Sequence, residues 1–272
     1  MSISFILTCC DDAPYIARCL TSVAAVARPG DELVLVDDGS TDGTSEIVNG
    51  HLAQVGFHPE VALRPFFLGV RTPGGVGIPA NIGLSLATKK TVFFVRGRDW
   101  IDASGFRKVR GRLALSPADV VIANHRHFDE RLDVSRPPSD ADEWRMMTLS
   151  SDVKVVRYHA LCLRAASWRT FYRRSFLHEQ GMRFPEGHLP HEEVPFHWAT
   201  CLAARTLTLY DVTVCHHRTT CIEVAEDTYQ PAAFLAHFAT ITRLLYGQDE
   251  VCHLIAIRWL VDNVAHQHRY LP

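Results

Sequence analysis

No apolar run among the 272 residues approaches the length needed to cross a bilayer, which excludes a spanning helix from the expectations. A charge excess of one sign is missing too. The 28 Lys and Arg against 30 Asp and Glu leave a formal net charge of −2, so duplex nucleic acid is not an expected partner. The opening Met1-Ser-Ile-Ser-Phe-Ile-Leu-Thr8 lacks a basic segment and runs straight into charged residues, which reads as a first strand and not a signal peptide. The 8 cysteines contain no Cys-x-x-Cys pair and sit mostly inside apolar patterns. Reduced, buried thiols in a cytoplasmic protein fit that usage. Repeats, low-complexity segments and a clear linker are also absent.

With 47% hydrophobic residues the chain can bury a full core, as one large domain or two small ones. The stretch that organises it is Glu32-Leu-Val-Leu-Val-Asp-Asp-Gly-Ser-Thr-Asp-Gly-Thr44. Leu33 to Val36 run unbroken, as in a strand buried on both faces of a parallel sheet. The run ends in Asp37-Asp38 and a cluster of turn formers, after which Ile47, Val48, Leu52 and Val55 mark one face of a helix, with Asp42 or Thr41 as its N-cap. Two carboxylates thus stand at the carboxyl end of a central strand, where open α/β sheets place ligands. The competing reading for either is a turn cap.

Before this stretch, residues 4–8 form a strand and Ile16, Leu20, Val23 and Ala27 one face of a helix. Strand, helix, strand, helix in short succession predicts parallel strands with right-handed crossovers. A third strand falls in 61–68, a fourth at 91–95, a helix at 103–115 and a strand at 118–123. The glycine-rich turn Gly74–Gly83 lacks Lys-Ser/Thr and does not space its glycines as a dinucleotide loop does, which removes nucleotide triphosphatase and NAD readings. Residues 125–150 read as an irregular excursion or hairpin. The tail, 229–272, carries two helical patterns with Leu244, Leu245, Leu254, Ile257, Leu260 and Val261, read as core stripes.

Taken in order, Ser4-Phe-Ile-Leu-Thr8, the Val-Asp-Asp-Gly-Ser-Thr-Asp-Gly-Thr segment ending at Thr44, Ala80-Asn81-Ile-Gly83, and Trp168 to Gly187 followed by Glu192-Glu193 resemble a bacterial family 2 glycosyltransferase with the GT-A fold. The resemblance covers about residues 2–220. It implies a Rossmann-like, mostly parallel α/β sheet flanked by helices, and transfer of a sugar from a nucleotide-diphosphate sugar, UDP-linked above all, to a hydroxyl with inversion. Carried over position by position, the donor would be held by Thr8, Asp11, Asp37, Asp38, Asn81, Arg96, Arg98 and Asp99. Thr8 and Asp38 match positions that hold uracil and ribose, where a carboxylate accepts from base N–H or ribose hydroxyls. Glu192 and Glu193 match the acid pair that supplies the general base, with Glu193 in place of the family's aspartate and one methylene longer. A helix N-terminus favouring two acids is the bland alternative. His191 and Trp168 fall on the acceptor side. His188 also flanks the acid pair, and Phe196 and Trp198 read as packing.

One element departs from the family. Relatives carry Asp-x-Asp-Asp after the fourth strand, for donor phosphates and a divalent metal; here it reads Arg96-Gly97-Arg98-Asp99. Like charges about 4 Å apart repel by roughly 4 kcal/mol at an effective dielectric near 20, and a dication doubles that. Three outcomes stay open: Asp99, with His217 as a second ligand, holds Mn²⁺ or Mg²⁺; Arg96 or Arg98 binds the diphosphate in metal-independent operation, compensating also for Ala80 where relatives often have arginine; or the site is degenerate and binds without turnover.

The resulting organisation is a GT-A domain over 1–220, split into a nucleotide-sugar-binding half (1–115) and an acceptor-side half (116–220), with a helical C-terminal extension over 221–272. The acceptor is expected to be a glycan or lipid-linked precursor of surface polysaccharide or glycoconjugate. The C-terminal helices offer a homodimer surface or a peripheral contact with the inner face of the membrane. The rival classes are a catalytically dead scaffold that binds nucleotide sugar or a partner, and a nucleotidyltransferase. Against the latter, Cys9-Cys10-Asp11-Asp12 stands where a basic, glycine-rich triphosphate loop belongs.

Overall fold

The apolar run Leu33–Val36 lies within β2 (Glu32–Asp37), every residue of which is buried, as is every residue of the neighbouring β1 (Ile3–Cys9). A strand covered on both faces has no reason to alternate in polarity. The computed structural model describes residues 1–54, 56–147, 150–187, 190–219 and 231–268. β1 pairs in parallel with β2 and, on its other side, with β4 (Thr91–Arg96), while β3 (Ala62–Phe67) pairs in parallel with β2. The helices α1 (Ile16–Ala24), α2 (Thr44–Leu52) and α3 (Gly77–Leu86) make the connections, so the βαβ expectation holds for this half. The N-cap of α2 is Gly43, at φ 92°, and not Asp42 or Thr41. Asp42 still satisfies the first turn by accepting from Thr44 N–H (3.0 Å) and Oγ1 (2.5 Å).

Past β4 the sheet stops being parallel. β8 (Thr170–Arg173) runs antiparallel to both β4 and β6 (Val120–Asp129). β9 (Leu207–Thr219) runs parallel to β6, and the short β5 (Trp100–Ile101) closes against β9. The order is β3-β2-β1-β4-β8-β6-β9-β5, with β7 (Val134–Arg136) paired to β6. The strand expected at 118–123 therefore continues to Asp129, and the excursion after it is the β6–β7 hairpin followed by α5 (Ala141–Met146). β6 and β9 shift register around Asn124, which seats His127 opposite His217. On one face α4 (Ala103–Leu115) comes so close to β9 that a Cβ on Gly105 would stand 1.7 Å from the Thr213 carbonyl oxygen.

Alternate residues of β1 and β4 feed two cores, one on each side of the sheet. Phe5, Phe93, Phe106 and Phe171 centre one; Ile6, Phe94, Tyr172, Phe196 and Trp198 centre the other. The second core is covered by α6 (Val153–Cys162), α7 (Arg174–Glu179), α8 (Glu193–Ala203), α9 (Pro231–Leu244) and α10 (Glu250–His268). Phe196 and Trp198 are packing residues, as expected. The tail's stripes are only partly core. Ile241, Leu245, Cys252 and Ala256 join the buried cluster, whereas Val251, Leu254, Ile257 and Val261 line the outer side of α10, exposed. The domain boundary expected at 220/221 lies outside the described residues, as does His188.

Candidate functional site

The carboxyl ends of β1, β2 and β4 open onto a cleft of about 170 Å³, whose lining includes Thr8, Asp12, Asp38, Arg71, Arg96 and Arg98. Strand ends in an open α/β sheet present side chains with no further pairing to make, so a cleft forms there. The N–H of Asp38 donates to the Cys9 carbonyl (2.9 Å), which ties the turn after β2 to the end of β1. Its carboxylate accepts from Thr72 N–H (2.9 Å) and Oγ1 (3.1 Å). Asp12 accepts from Arg98 Nε (3.1 Å) and from the Cys10 N–H (3.2 Å). Burial pushes the Asp12 carboxyl up, against the pull of the Arg98 guanidinium.

Four expected donor residues stand outside the cleft lining: Asp37, Asn81, Asp11 and Asp99. Asp37 is buried behind the cleft, accepting from Ser40 N–H (3.0 Å), Ser40 Oγ (2.6 Å) and Ser45 Oγ. It holds the turn that Asp38 uses, because adjacent residues leaving a strand point to opposite faces. Asn81 is a staple: its amide donates to the Phe184 carbonyl and Glu186 Oε1, both at 2.9 Å, and its oxygen accepts from Phe184 N–H (2.9 Å). Asp11, at φ 50°, sits outside the cleft lining, accepting from Thr41 N–H (2.8 Å) and facing Arg71 at 3.6 Å.

Asp99 is buried and turned toward β9. Its carboxylate meets His217 Nδ1 at 3.1 and 3.2 Å and accepts from the Arg218 N–H (2.9 Å). Burial works against its charge, but His217, Arg96 and the Arg218 N–H outweigh that and hold the carboxyl below its ordinary value. The guanidinium-bearing residues Arg96 and Arg98 line the cleft and Asp99 does not. Of the outcomes left open by the sequence, the one with a metal on Asp99 and His217 finds these two side chains engaged with each other, outside the cleft lining. Asp12 is paired with Arg98, Asp38 with Thr72 and Asp99 with His217, and no group of three or more His, Cys, Asp or Glu among the described residues is arranged to hold an ion.

The acid pair divides between two cavities. Glu192 Oε1 accepts from the Gly75 N–H (2.6 Å), and Gly75 walls the strand-end cleft. A Cβ on Gly75 would lie 2.6 Å from that oxygen, and one on Gly74 1.9 Å from the Gly187 carbonyl. The glycines of this turn admit the Glu192 segment, which is why they carry no phosphate-loop spacing. Burial raises the Glu192 carboxyl, and Glu193 adds to the effect. Glu193 opens instead α8 and lines a second cavity of about 390 Å³ with His191, Asp140, Phe234 and Trp259. Its Oε1 accepts from Ser167 N–H (3.1 Å) and Oγ (2.5 Å). His191, at φ 64°, stacks on Phe234 with ring centroids 5.1 Å apart. Trp168 does not reach this cavity. It is 3% exposed, flat against His217 (4.5 Å) and edge-on to His125 (4.8 Å), so it is a core residue and the expectation that it faces the acceptor is corrected.

Sequence reasoning passed over Asp12, Arg71, Ser167 and Trp259. Asp12 stood in plain view beside Asp11, but its place depends on Arg98, far along the chain. The aromatic Trp259 was hidden in a helical tail read as core.

The family model described as Glycosyl transferase family 2 matches residues 4–179. EpsJ, an uncharacterized glycosyltransferase of Bacillus subtilis, is 22% identical over 232 residues, covering 85% of this chain and 64% of EpsJ. The glycosyltransferase GlyG of Streptococcus pneumoniae is 27% identical over 128 residues, 47% of this chain and 40% of GlyG. The chain thus spans between about two fifths and two thirds of the length of these curated relatives. The S. aureus TarS 1–349 structure in complex with UDP-GlcNAc superposes with a TM-score of 0.73 at 21% identity, covering 98% of this chain and 72% of that one. The mannosyltransferase PcManGT from Pyrobaculum calidifontis, in complex with GDP-Man and Mn²⁺, gives 0.60 at 16% identity over 98% of this chain and 84% of that one. The expected fold class is met: a mixed α/β sheet flanked by helices, in the GT-A form of these structures.

Proposed function

This chain belongs to glycosyl transferase family 2, and we propose that it moves a sugar from a UDP-sugar to a hydroxyl acceptor with inversion at the anomeric carbon. The observation that carries this reading is the division of the acid pair: Glu192 reaches the wall of the strand-end cleft, and Glu193, one residue on, lines the second cavity. A donor in the first and an acceptor in the second would meet at this pair. Thr8 and Asp38 stand at the strand ends to receive the base and ribose. The uracil preference leans on the TarS structures, which hold UDP and UDP-GlcNAc.

In the step proposed, the acceptor oxygen attacks the anomeric carbon from the side opposite the diphosphate. Glu193 takes the hydroxyl proton as the new C–O bond forms. The old bond between the anomeric carbon and the β-phosphate oxygen breaks, and its electron pair leaves with UDP. Ser167 positions Glu193 by occupying Oε1 with two hydrogen bonds, which leaves Oε2 as the base. The Phe234 and Trp259 rings offer apolar faces to a pyranose, so a glycan or lipid-linked acceptor fits the second cavity. Surface polysaccharide or glycoconjugate synthesis is the proposed setting. The homodimer or peripheral membrane contact expected through the tail would be made by the outer stripe Val251, Leu254, Ile257 and Val261. No described helix is long and apolar enough to cross a membrane.

Release of UDP from a panel of UDP-sugars, followed by the anomeric configuration of any product, tests the reading. Turnover abolished by Glu193→Gln with nucleotide binding kept supports it. Tight nucleotide-sugar binding with no turnover under any acceptor supports the dead scaffold instead.

A further inference from the structure

Basic groups outnumber their acidic partners around α7. Arg173 is met by Asp119 at 2.6 Å and by Glu179 at 3.8 Å. Its neighbour Arg174 and the nearby Arg183 have no carboxylate partner among the described residues. Together with His178 they line a cavity of about 220 Å³ between α3 and α7. Leu84, Leu177 and Met182 supply its apolar surface, and no carboxylate among the described residues stands in the lining.

We propose that this cavity is an anion site, separate from the strand-end cleft, that takes the phosphate group of an amphipathic phosphoester. The way the chain builds it supports each part. α7 ends in a Schellman turn: the Gly181 N–H, at φ 59°, donates to the His178 carbonyl (3.1 Å) and the Met182 N–H to the Leu177 carbonyl (2.8 Å). A left-handed backbone there suits glycine. The turn brings Met182 back toward Leu177, so the apolar wall is set by the helix's own ending. Phe184 N–H then donates to Asn81 Oδ1 (2.9 Å), which holds Arg183 between two fixed backbone contacts. Arg174 is anchored as well, its N–H on the Lys90 carbonyl (2.9 Å) and its Nη1 on the Ala87 carbonyl (3.4 Å) just past α3.

Two guanidinium groups and an imidazole thus supply the donors, while the Ser85 hydroxyl in the same lining spends its proton on the Ile82 carbonyl (2.7 Å). A phosphate ester presents three acceptor oxygens and can be met from several sides at once, where a carboxylate has two. Cationic groups without acids beside them favour such an anion. The leucines and Met182 then cover the carbon chain next to the ester oxygen, a contact that inorganic phosphate cannot make. α3 keeps the two sites apart: from Gly77, next to Val76 of the cleft, to Leu84 it rises about 10 Å.

Calorimetry with octyl phosphate and inorganic phosphate, and flotation with phosphatidylcholine vesicles with and without phosphatidic acid, test the site. Octyl phosphate should bind more tightly than inorganic phosphate by about 10-fold or more. Arg174→Gln and Arg183→Gln should each weaken octyl phosphate by about 10-fold, and Leu84→Ala should narrow its advantage over inorganic phosphate. Arg183 is exposed, so its variant keeps the test standing if another does not fold. Capture by phosphatidic acid vesicles that Arg183→Gln abolishes makes a lipid headgroup the source. Octyl phosphate binding without vesicle capture makes it a soluble phosphoester, and either result upholds the site. Binding weakened by Arg71→Ala and not by Arg183→Gln puts the phosphate in the strand-end cleft and overturns the proposal. Equal affinity for the two phosphates, or binding of neither, overturns it too.

Discussion

Asp99 and His217 meet across the β4–β5 turn and the end of β9, with His217 Nδ1 3.1 Å from Asp99 Oδ2 and both side chains buried. The pair pins the last residues of β9 to the turn after β4, since the neighbouring Arg218 N–H also donates to Asp99 and its guanidinium reaches Glu130 at 3.0 Å. The Arg218 guanidinium further stands over Tyr15 at 4.6 Å.

Asp99→Asn should therefore destabilise the fold by about 1–3 kcal/mol at pH 7, because a charge-assisted contact is lost in a buried place. The folded Asp99 carboxyl is held below its ordinary value. A depressed carboxylate contributes stability above its unfolded value near 3.9, lost as pH falls through the folded value. Urea denaturation of both proteins should show the gap at pH 7 narrowing below about pH 4.

Histidines set a second, milder acid limit. Burial lowers His127 to about 3 and His197 to about 4, and holds His125 well below its ordinary range. Each stays neutral when folded and takes a proton when unfolded below the ordinary value of 6.5. Their contribution is complete above pH 6.5 and is lost as pH falls through the folded values. Each histidine adds up to about 1.4 kcal/mol per pH unit to that slope. His127→Asn should flatten the fall in unfolding free energy between pH 6 and pH 4 by about that amount, whatever it does to stability at pH 8.

These features were unevenly legible in the sequence. Leu33–Val36 ending in Asp37-Asp38 is a local pattern, and the strand and the turn after it followed from it. Which of the two acids faces the cleft was not legible, because it depends on Ser40 and Ser45 satisfying Asp37 and on Thr72 meeting Asp38. The antiparallel insertion of β8 was hidden for the same reason. β8 enters between β4 and β6 from a distant part of the chain, and no local spacing announces such a pairing. In α10 apolar residues occupy both the packed and the outer side, so periodicity could not separate Cys252 and Ala256 from Leu254 and Ile257.

The acid pair gives a prediction with two distinguishable arms. Glu193→Gln should lower kcat by about 10² to 10⁴ while UDP affinity holds, since only the proton acceptor changes. Ser167→Ala should cost less and act through Glu193, seen as a shifted pH profile of kcat with KM for donor unchanged. Glu192→Gln should raise stability at neutral pH. Burial raises the Glu192 carboxyl, and a raised group's contribution is present below its unfolded value and lost as pH rises through the folded one. The gain should vanish below about pH 4.

Trp259 decides whether the second cavity holds the acceptor. Its ring lies 5.9 Å from that of Phe234, which stacks in turn on His191 beside Glu193. A pyranose laid on this wall would share the cavity with the glutamate. Trp259→Ala should raise the acceptor KM by about tenfold, the worth of one good aromatic face, with UDP affinity and acceptor-free hydrolysis of the UDP-sugar unchanged. Trp259→Phe keeps an aromatic face and the packing of α10 against the core, and should recover most of the loss. Equal acceptor KM values for all three proteins would move the acceptor out of this cavity, leaving Glu193 without a substrate to deprotonate there.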